Sequence, residues 1–256
     1  MAAGVQLCYG DAYAQRIDAM VTAVTIGERD GAPSITLDST VFYPGGGGQP
    51  ADTGSIVRPR DRASWLVRSA RKADGEIVHD LASTRPAGSE AAPAVGDAVI
   101  VEIDWPRRHL LMRTHTALHV LCGVVWRDYG AQVTGGNMEP GSGRMDFEFE
   151  RMSGDLVEEI ERRVNAELDA ARDIRVATLP REQAFAIPDL IRTRINLLPP
   201  GIPEVRTIEI VGLDLQADGG THVANTREVG RVRVHGYESK GRINKRIRIA
   251  VEDAPA

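Results

Sequence analysis

The sequence predicts an α+β fold in which a small amino-terminal β-barrel, residues 1–104, precedes a mixed helix and antiparallel-sheet domain, residues 105–256. Three observations lead to this prediction. The first hundred residues fall into short segments rich in β-branched side chains and separated by turn residues. After Trp105-Pro106, a stretch without glycine or proline carries apolar residues at helical spacing. Apolar residues make up 42% and charged residues 26% of the 256 residues, which is typical of folded globular chains.

Five segments of the amino-terminal part are predicted as strands, and the regular turns between them favour a barrel. The segments are 20–26, 34–42, 64–70, 76–80 and 98–105. Ala73-Asp74-Gly75 is predicted as a hairpin turn. Residues 82–96 are rich in proline, alanine and glycine without periodicity, so we expect an exposed loop there.

The second part begins with a predicted helix from about Arg107 to Arg127. A second helix is predicted from a cap at Ser153 to about Arg172. Its inward face is expected to consist of Val157, Ile160, Val164, Leu168 and Ala171. Strands are predicted at 144–150, 206–212, 231–239 and 243–251. The proline-rich stretch 180–203 is predicted as a long loop or a short-helix excursion.

The two cysteines, Cys8 and Cys122, are too few for a disulfide framework or a four-thiolate metal site, which favours a reducing compartment. The start of the chain lacks the charged-then-apolar profile of a secretion signal, and no apolar stretch reaches the length of about 18 residues that a membrane span needs. We therefore expect a cytoplasmic protein that does not insert into a membrane.

The formal net charge of −5 argues against a protein that coats nucleic acid through bulk positive charge. The charge is unevenly distributed, because residues 227–248 carry eight basic and two acidic side chains. One face could therefore meet an anionic partner, although a solvated charged strand explains the same run of residues equally well.

His115 and His119 lie four residues apart on the first predicted helix, a spacing that allows both imidazoles to reach one metal ion. For this pair alone, packed or solvated histidines at a chance spacing are the simpler alternative. The residues between them include no glutamate, so the HExxH pattern of zinc peptidases is absent.

A second pair of candidate ligands follows downstream, where Asp218 and His222 flank a glycine turn that lets the two side chains converge. Together with the two helical histidines they would form a tetrahedral zinc shell of three imidazoles and one carboxylate, without either cysteine. The alternative is that Asp218 merely begins a turn and that His222 packs in a strand.

Residues 42–50, FYPGGGGQP, form the third notable feature. Four consecutive glycines admit close approach of a ligand, and the Gln49 amide offers both a donor and an acceptor, so the loop could contact a polar substrate. The lysine of a phosphate-binding loop and the dinucleotide-binding spacing are both absent, which disfavours nucleotide binding. A purely structural glycine turn is the alternative.

Taken together and in this order, FYPGGGGQPADTG (42–54), HTALH (115–119) and DGGTHVANTREVG (218–230) resemble the alanyl-tRNA editing proteins of the AlaX family. The same modules are similar to the editing domain of alanyl-tRNA synthetase and, in the second half, to that of threonyl-tRNA synthetase. The resemblance extends from about Leu37 to Ile249, and the length of the chain resembles the medium-sized class of the family.

The resemblance implies a Zn²⁺ cofactor held by His115, His119 and His222. The family commonly has cysteine where this chain has Asp218. Aspartate also binds zinc, at about 2.0–2.2 Å, so we expect an exchange of one ligand rather than loss of the site.

The resemblance also implies a reaction: hydrolysis of the ester that joins a wrong amino acid, chiefly serine and with glycine as a further candidate, to alanine tRNA. An editing pocket that bonds the serine hydroxyl would leave its own polar groups unpaired with alanine. The expected polar residues of the reaction site are Thr40, Gln49 and Thr221. The expected contacts to tRNA phosphates are Arg107, Arg108, Lys240, Arg242, Lys245 and Arg246. No ATP site is expected.

Two other functions are compatible with the same residues. The chain could be a non-catalytic tRNA-binding module in which the exchange at Asp218 has emptied the metal site, or a zinc hydrolase that acts on a small ester or amide. Measuring the zinc content would distinguish the tRNA-binding module from the editing enzyme. Testing whether tRNA competes with the substrate would distinguish the hydrolase of small esters or amides.

Overall fold

A closed barrel of antiparallel strands forms the first part of the chain in the computed structural model, which describes residues 4–26, 32–82, 93–194, 198 and 200–253. The strands of this part are β1 (Val5–Gln6), β2 (Arg16–Ile26), β3 (Pro33–Leu37), β4 (Ser39–Thr40), β5 (Gly54–Arg58), β6 (Ala63–Ala73), β7 (Glu76–Leu81) and β8 (Ala98–Ile103). The barrel order is β2-β3-β7-β6-β5-β8, and β1 pairs with β4 outside it. The predicted amino-terminal barrel is thus confirmed.

Alternation of side chains between the two faces of each strand fills the barrel. In β7, for example, every second residue is buried. The predicted hairpin turn is also confirmed, because Asp74 and Gly75 take φ angles of 50° and 82° between the paired residues Ala73 and Glu76.

Two details differ from the predicted pattern of strands, and one prediction falls mostly outside the described residues. The predicted strand 34–42 divides into β3 and β4, which pairs in parallel with β1 rather than within the barrel. Strand β5 was not predicted, because its five residues follow directly on a run of glycines and polar residues. Most of the loop predicted at 82–96 lies outside the described residues.

Helices and antiparallel strands form the rest of the chain, as the sequence predicts. They are α1 (Trp105–Tyr129), β9 (Val133–Glu139), β10 (Ser142–Glu148), α2 (Gly154–Asp169), β11 (Ile174–Pro180), α3 (Arg181–Phe185), β12 (Glu204–Ile210), β13 (Asp214–Ala217), β14 (Arg231–Ser239) and β15 (Asn244–Glu252). One sheet has the order β14-β15-β10-β9 and another the order β11-β12-β13. Helix α1 begins after Asp104, whose carboxylate accepts the N–H of Arg107, and it ends at Tyr129, directly before Gly130 with a φ of 64°.

The predicted cap of α2 is confirmed, since the Ser153 hydroxyl accepts the N–H of Leu156. The predicted end is wrong: the helix stops at Asp169, and Ala171 is exposed with a φ of 52°. The irregular stretch 180–203 contains the short helix α3, and its residues 195–197 and 199 lie outside the described part.

The chain divides into two units, a barrel unit of residues 1–46 and 50–109 and a second unit of residues 47–49 and 110–256. The tip of the glycine loop, Gly47–Gln49, therefore belongs to the second unit, and the first turn of α1 belongs to the barrel unit. Within the described residues, no helix combines the length and the apolar character that crossing a membrane requires.

Candidate metal centre

Four side chains predicted as metal ligands come together in the second unit. His115 and His119 lie one turn apart on α1, whereas Asp218 and His222 lie on the turn that follows β13. Each offers one ligand atom, and these atoms all lie within 4.8 Å of one another. The three histidines are only 4–6% exposed, so the cluster is shielded from solvent.

Hydrogen bonds hold the turn that carries Asp218 and His222. Oδ2 of Asp218 accepts the N–H of Gly220 at 2.6 Å and lies 3.2 Å from Nε2 of His222. The guanidinium of Arg206 donates to the carbonyl oxygens of Asp218 and Gly220, at 3.1 and 2.8 Å. Glycine is required at position 220, because a Cβ atom there would lie 2.1 Å from Cε1 of His115.

Two of the imidazoles are oriented by neutral partners. Nδ1 of His115 lies 3.0 Å from Oε1 of Gln49, and Nδ1 of His222 lies 3.1 Å from Oγ1 of Thr116. Because these contacts engage Nδ1, the Nε2 atoms are left to face the cluster. There, Nε2 of His115 lies 3.6 Å from Oδ1 of Asp218.

Two distances between donor atoms are close to those of a zinc site. Tetrahedral zinc with ligands at about 2.0–2.2 Å requires neighbouring ligand atoms about 3.4 Å apart. The distances from Asp218 oxygens to Nε2 of His222 and of His115 are 3.2 and 3.6 Å. Three imidazoles and one carboxylate are also a donor set that zinc accepts. The residues therefore suit the metal that the sequence led us to expect.

The protonation states of three of the four side chains suit a metal as well. Burial lowers the pKa of His115 well below its ordinary value and that of His222 to about 4, so both imidazoles are neutral at pH 7. Burial raises the pKa of the Asp218 carboxyl, but the three imidazoles outweigh it and hold that pKa well below the usual range. Burial also lowers the pKa of His119, but the Asp214 and Asp218 carboxylates outweigh it and raise that pKa above its ordinary value. At neutral pH the other three residues therefore offer lone pairs, whereas a metal ion competes with a proton at His119.

Of the three residues predicted to contact substrate, two lie beside the cluster. The side chain of Gln49 donates from Nε2 to the Thr221 hydroxyl at 2.8 Å, and its Oε1 accepts the Thr221 N–H at 2.9 Å. Thr40 belongs to the barrel unit, where its hydroxyl lies 2.8 Å from Nε2 of His79. A role of these residues in the reaction stays a prediction.

Two of the predicted tRNA contacts need correction. Arg108 is fully buried and forms an ion pair with Asp52, and it also donates to the carbonyl oxygen of Val41. Lys245 is 5% exposed, and its ammonium group donates to the carbonyl oxygens of Gly241 and Arg242. Neither side chain presents its charge to a phosphate. The sequence shows that both residues are charged, but it does not show the residues that surround and pair with them in the folded chain.

The other predicted tRNA contacts differ in how accessible their charged groups are to a phosphate. Arg246 pairs with both oxygens of Asp146 at 2.7 Å, and Arg107 donates to a backbone carbonyl in the barrel unit. Lys240 and Arg242 are exposed at the turn between β14 and β15. The Lys240 ammonium lies 3.1 Å from a carboxylate oxygen of Glu238. Arg242 is therefore the strongest remaining candidate of the set.

Sequence reasoning missed three residues that support the cluster: Thr116, Arg206 and Asp214. Asp214 begins β13 and lies four residues before Asp218, which directly follows that strand, so alternation would have placed both on one face. The segment DLQAD was not predicted as a strand. No signal in the sequence distinguishes Arg206 from the other arginines.

A family model matches residues 205–248, and its description is the second additional domain of threonyl and alanyl tRNA synthetases. The matched range contains the turn that carries two members of the cluster, all of β14 and the first part of β15.

Similar proteins match nearly the whole chain. An alanyl-tRNA editing protein AlaX-M of Saccharolobus solfataricus is 36% identical over 218 residues, which cover 85% of this chain and 89% of the relative. The AlaX-M protein of Methanosarcina mazei is 35% identical over 247 residues, 96% of each chain. The alanine–tRNA ligase of Ignicoccus hospitalis is 35% identical over 235 residues, which are 90% of this chain but 24% of that enzyme.

Proposed function

Because this chain belongs to the AlaX family of alanyl-tRNA editing proteins, we propose that it hydrolyses the ester between a wrong amino acid, chiefly serine, and the terminal ribose of alanine tRNA. The observation that carries the proposal is the cluster of His115, His119, Asp218 and His222, whose ligand atoms lie within 4.8 Å of one another. These four residues would hold a zinc ion. When bound, the ion supplies positive charge that polarises an ester carbonyl.

Water is the proposed nucleophile, since neither cysteine is suited to attack the ester. Both thiols are buried, and burial raises the pKa of the Cys122 thiol, which keeps it protonated. Hydrolysis by water needs a site that holds the ester in place, and the buried, hydrogen-bonded cluster supports such positioning.

Thr221 is the proposed residue that recognises the serine hydroxyl. It is fully buried, and its oxygen accepts one hydrogen bond from Nε2 of Gln49. A hydroxyl that already accepts one bond still has its own proton to donate, so serine would complete its bonding whereas alanine would leave it unpaired. Such a difference protects correctly charged tRNA from hydrolysis.

The proposal is tested by measuring metal content and deacylation on the same preparation. We expect about one zinc ion per chain, and release of serine from alanine tRNA charged with serine, with alanine released much more slowly. Zinc-loaded protein that cleaves none of the seryl, glycyl and alanyl esters would refute the editing activity. A chain that binds tRNA but neither binds zinc nor cleaves any ester would identify a binding module instead.

Exchanging Asp218 for cysteine is expected to keep the activity. Cysteine thiolate is a zinc ligand with a bond of about 2.3 Å and a similar reach, so Asp218→Cys should retain zinc and deacylate within about tenfold of the original rate. Asp218→Ala is the matched variant that removes the ligand. It should lose both zinc and turnover, and equal behaviour of the two variants would exclude Asp218 as a ligand. Zinc content and single-turnover deacylation rates provide the comparison.

Arg242→Ala is expected to weaken tRNA binding without changing zinc content. Removing one phosphate contact should lower affinity for all tRNAs alike and reduce the slope of log affinity against log salt by about 1. The control is Arg162→Ala on α2, which removes another exposed arginine, one that pairs with Glu159. Binding curves at several salt concentrations report the slope. If Arg242→Ala and Arg162→Ala bind tRNA like the unaltered chain, Arg242 does not contact the RNA.

A further inference from the structure

The third imidazole of the cluster has a partner of a different kind. Whereas Nδ1 of His115 and of His222 face a neutral amide and a hydroxyl group, Nδ1 of His119 lies 3.7 Å from Oδ2 of Asp214. In the described structure this buried nitrogen makes no hydrogen bond. Asp214 is thus the one charged group among the three partners.

The Asp214 carboxylate is buried, and two further side chains contact it. It is 5% exposed, Nε of Arg192 lies 3.3 Å from its Oδ1, and Nε2 of Gln216 donates to its Oδ2 at 2.5 Å. The guanidinium of Arg192 lies in turn over the ring of Trp126, 4.8 Å from its centre. A buried carboxylate that is paired in this way stays ionised and keeps a fixed position.

A glycine allows the carboxylate to approach the helix. Gly123 lies one turn after His119 on α1, and a Cβ atom at this position would lie 3.0 Å from Cβ of Asp214 and 3.0 Å from Cγ of Leu213. The segment at the start of β13 therefore packs directly against α1, where a larger residue at position 123 would push it away. This close packing brings the Asp214 side chain beside the His119 ring.

We propose that Asp214 is a positioning residue for the metal site: it accepts the Nδ1 proton of His119 and so directs Nε2 of that ring to the metal. An anionic acceptor on the far nitrogen of a metal-binding imidazole fixes the tautomer and raises the basicity of the ligating nitrogen. This inference rests on the proposed metal site and not on which ester the protein cleaves. Among the three histidines of the cluster, it gives a carboxylate partner at Nδ1 to His119 alone.

Asp214→Asn tests this role through the affinity for metal. An amide at this position keeps the shape but loses the charge, so zinc affinity should fall about 10–100-fold, as is typical when such a partner is removed. Competition with a chromophoric chelator measures the affinity, and the visible spectrum of the Co²⁺-loaded variant should shift relative to the unaltered chain.

The control is Glu167→Gln, which neutralises another buried carboxylate of the second unit that pairs with two arginines, Arg127 and Arg172. It should bind zinc with unchanged affinity. If Asp214→Asn also binds zinc as tightly as the unaltered chain, with an unchanged Co²⁺ spectrum, the proposal is wrong.

A measurement on the unaltered chain covers the case in which the variant does not fold. In the zinc-loaded protein, long-range ¹H–¹⁵N spectra of the imidazoles should show His119 bound through Nε2 and protonated at Nδ1. Zinc bound through Nδ1 of His119 would overturn the proposal. Zinc bound through Nε2 in a protein without deacylase activity would refute the proposed function but leave the role of Asp214 intact.

Discussion

Replacing His222 by alanine is expected to abolish both tight zinc binding and deacylation. His222 is 4% exposed and its Nε2 lies 3.2 Å from Oδ2 of Asp218, so its removal leaves two imidazoles and one carboxylate at the site. Loss of a residue that hydrogen-bonds to a metal ligand typically lowers the metal affinity about 10–100-fold, and loss of the ligand itself should lower it further. Zinc content after dialysis and single-turnover rates with seryl-tRNA measure the two effects.

The ring of His222 also stacks on that of His115 with centroids 4.3 Å apart, so the variant must be shown to fold. Circular dichroism of the metal-free proteins provides this check. His235→Ala is the matched control, because it removes an exposed histidine from β14 in the same unit. It should keep zinc and full activity. If His222→Ala keeps equimolar zinc and normal turnover, the cluster is not the reaction site.

The parts of the fold that the sequence predicts are those with a strong local pattern. Helix α1 has a long stretch without glycine or proline between Pro106 and Gly123, and β14 was predicted with its correct bounds because its side chains alternate. Strands β9 and β13 were missed. The first contains Gly135 and Gly136, and the second is four residues long with two apolar side chains, so their strand structure depends on pairing with neighbours.

For the candidate site, the sequence predicts which residues take part better than it predicts which residues they contact. The motif resemblance to the editing family is confirmed, and the four candidate ligands lie together. Arg108 illustrates the limit. Its charge suggested a phosphate contact, but the carboxylate that buries it, Asp52, lies 56 residues away in the sequence. Likewise, the Gln49 amide was expected to face substrate, although its oxygen is engaged by His115 and Thr221.

Gly220→Ala is expected to disrupt the metal site although it changes no polar group. The added Cβ would lie 2.1 Å from Cε1 and 2.3 Å from Nδ1 of His115, and 2.8 Å from Oε1 of Gln49. Neither neighbour can simply swing away, since His115 packs against two other imidazoles and Gln49 makes three hydrogen bonds. Overpacking of this kind typically costs about 1–3 kcal/mol, which corresponds to about a 5–150-fold loss of zinc affinity if displacement of His115 relieves the strain.

The neighbouring glycine separates this steric effect from any general effect on the turn. A Cβ atom at Gly219 would have no heavy atom within 4 Å, and its φ lies outside the left-handed region that favours glycine. Gly219→Ala should therefore retain zinc affinity and activity, although it alters the adjacent residue of the same turn. Chelator competition and deacylation rates on both variants provide the comparison. If Gly220→Ala binds zinc as tightly as Gly219→Ala, the close approach of the turn to His115 is not required for binding the metal.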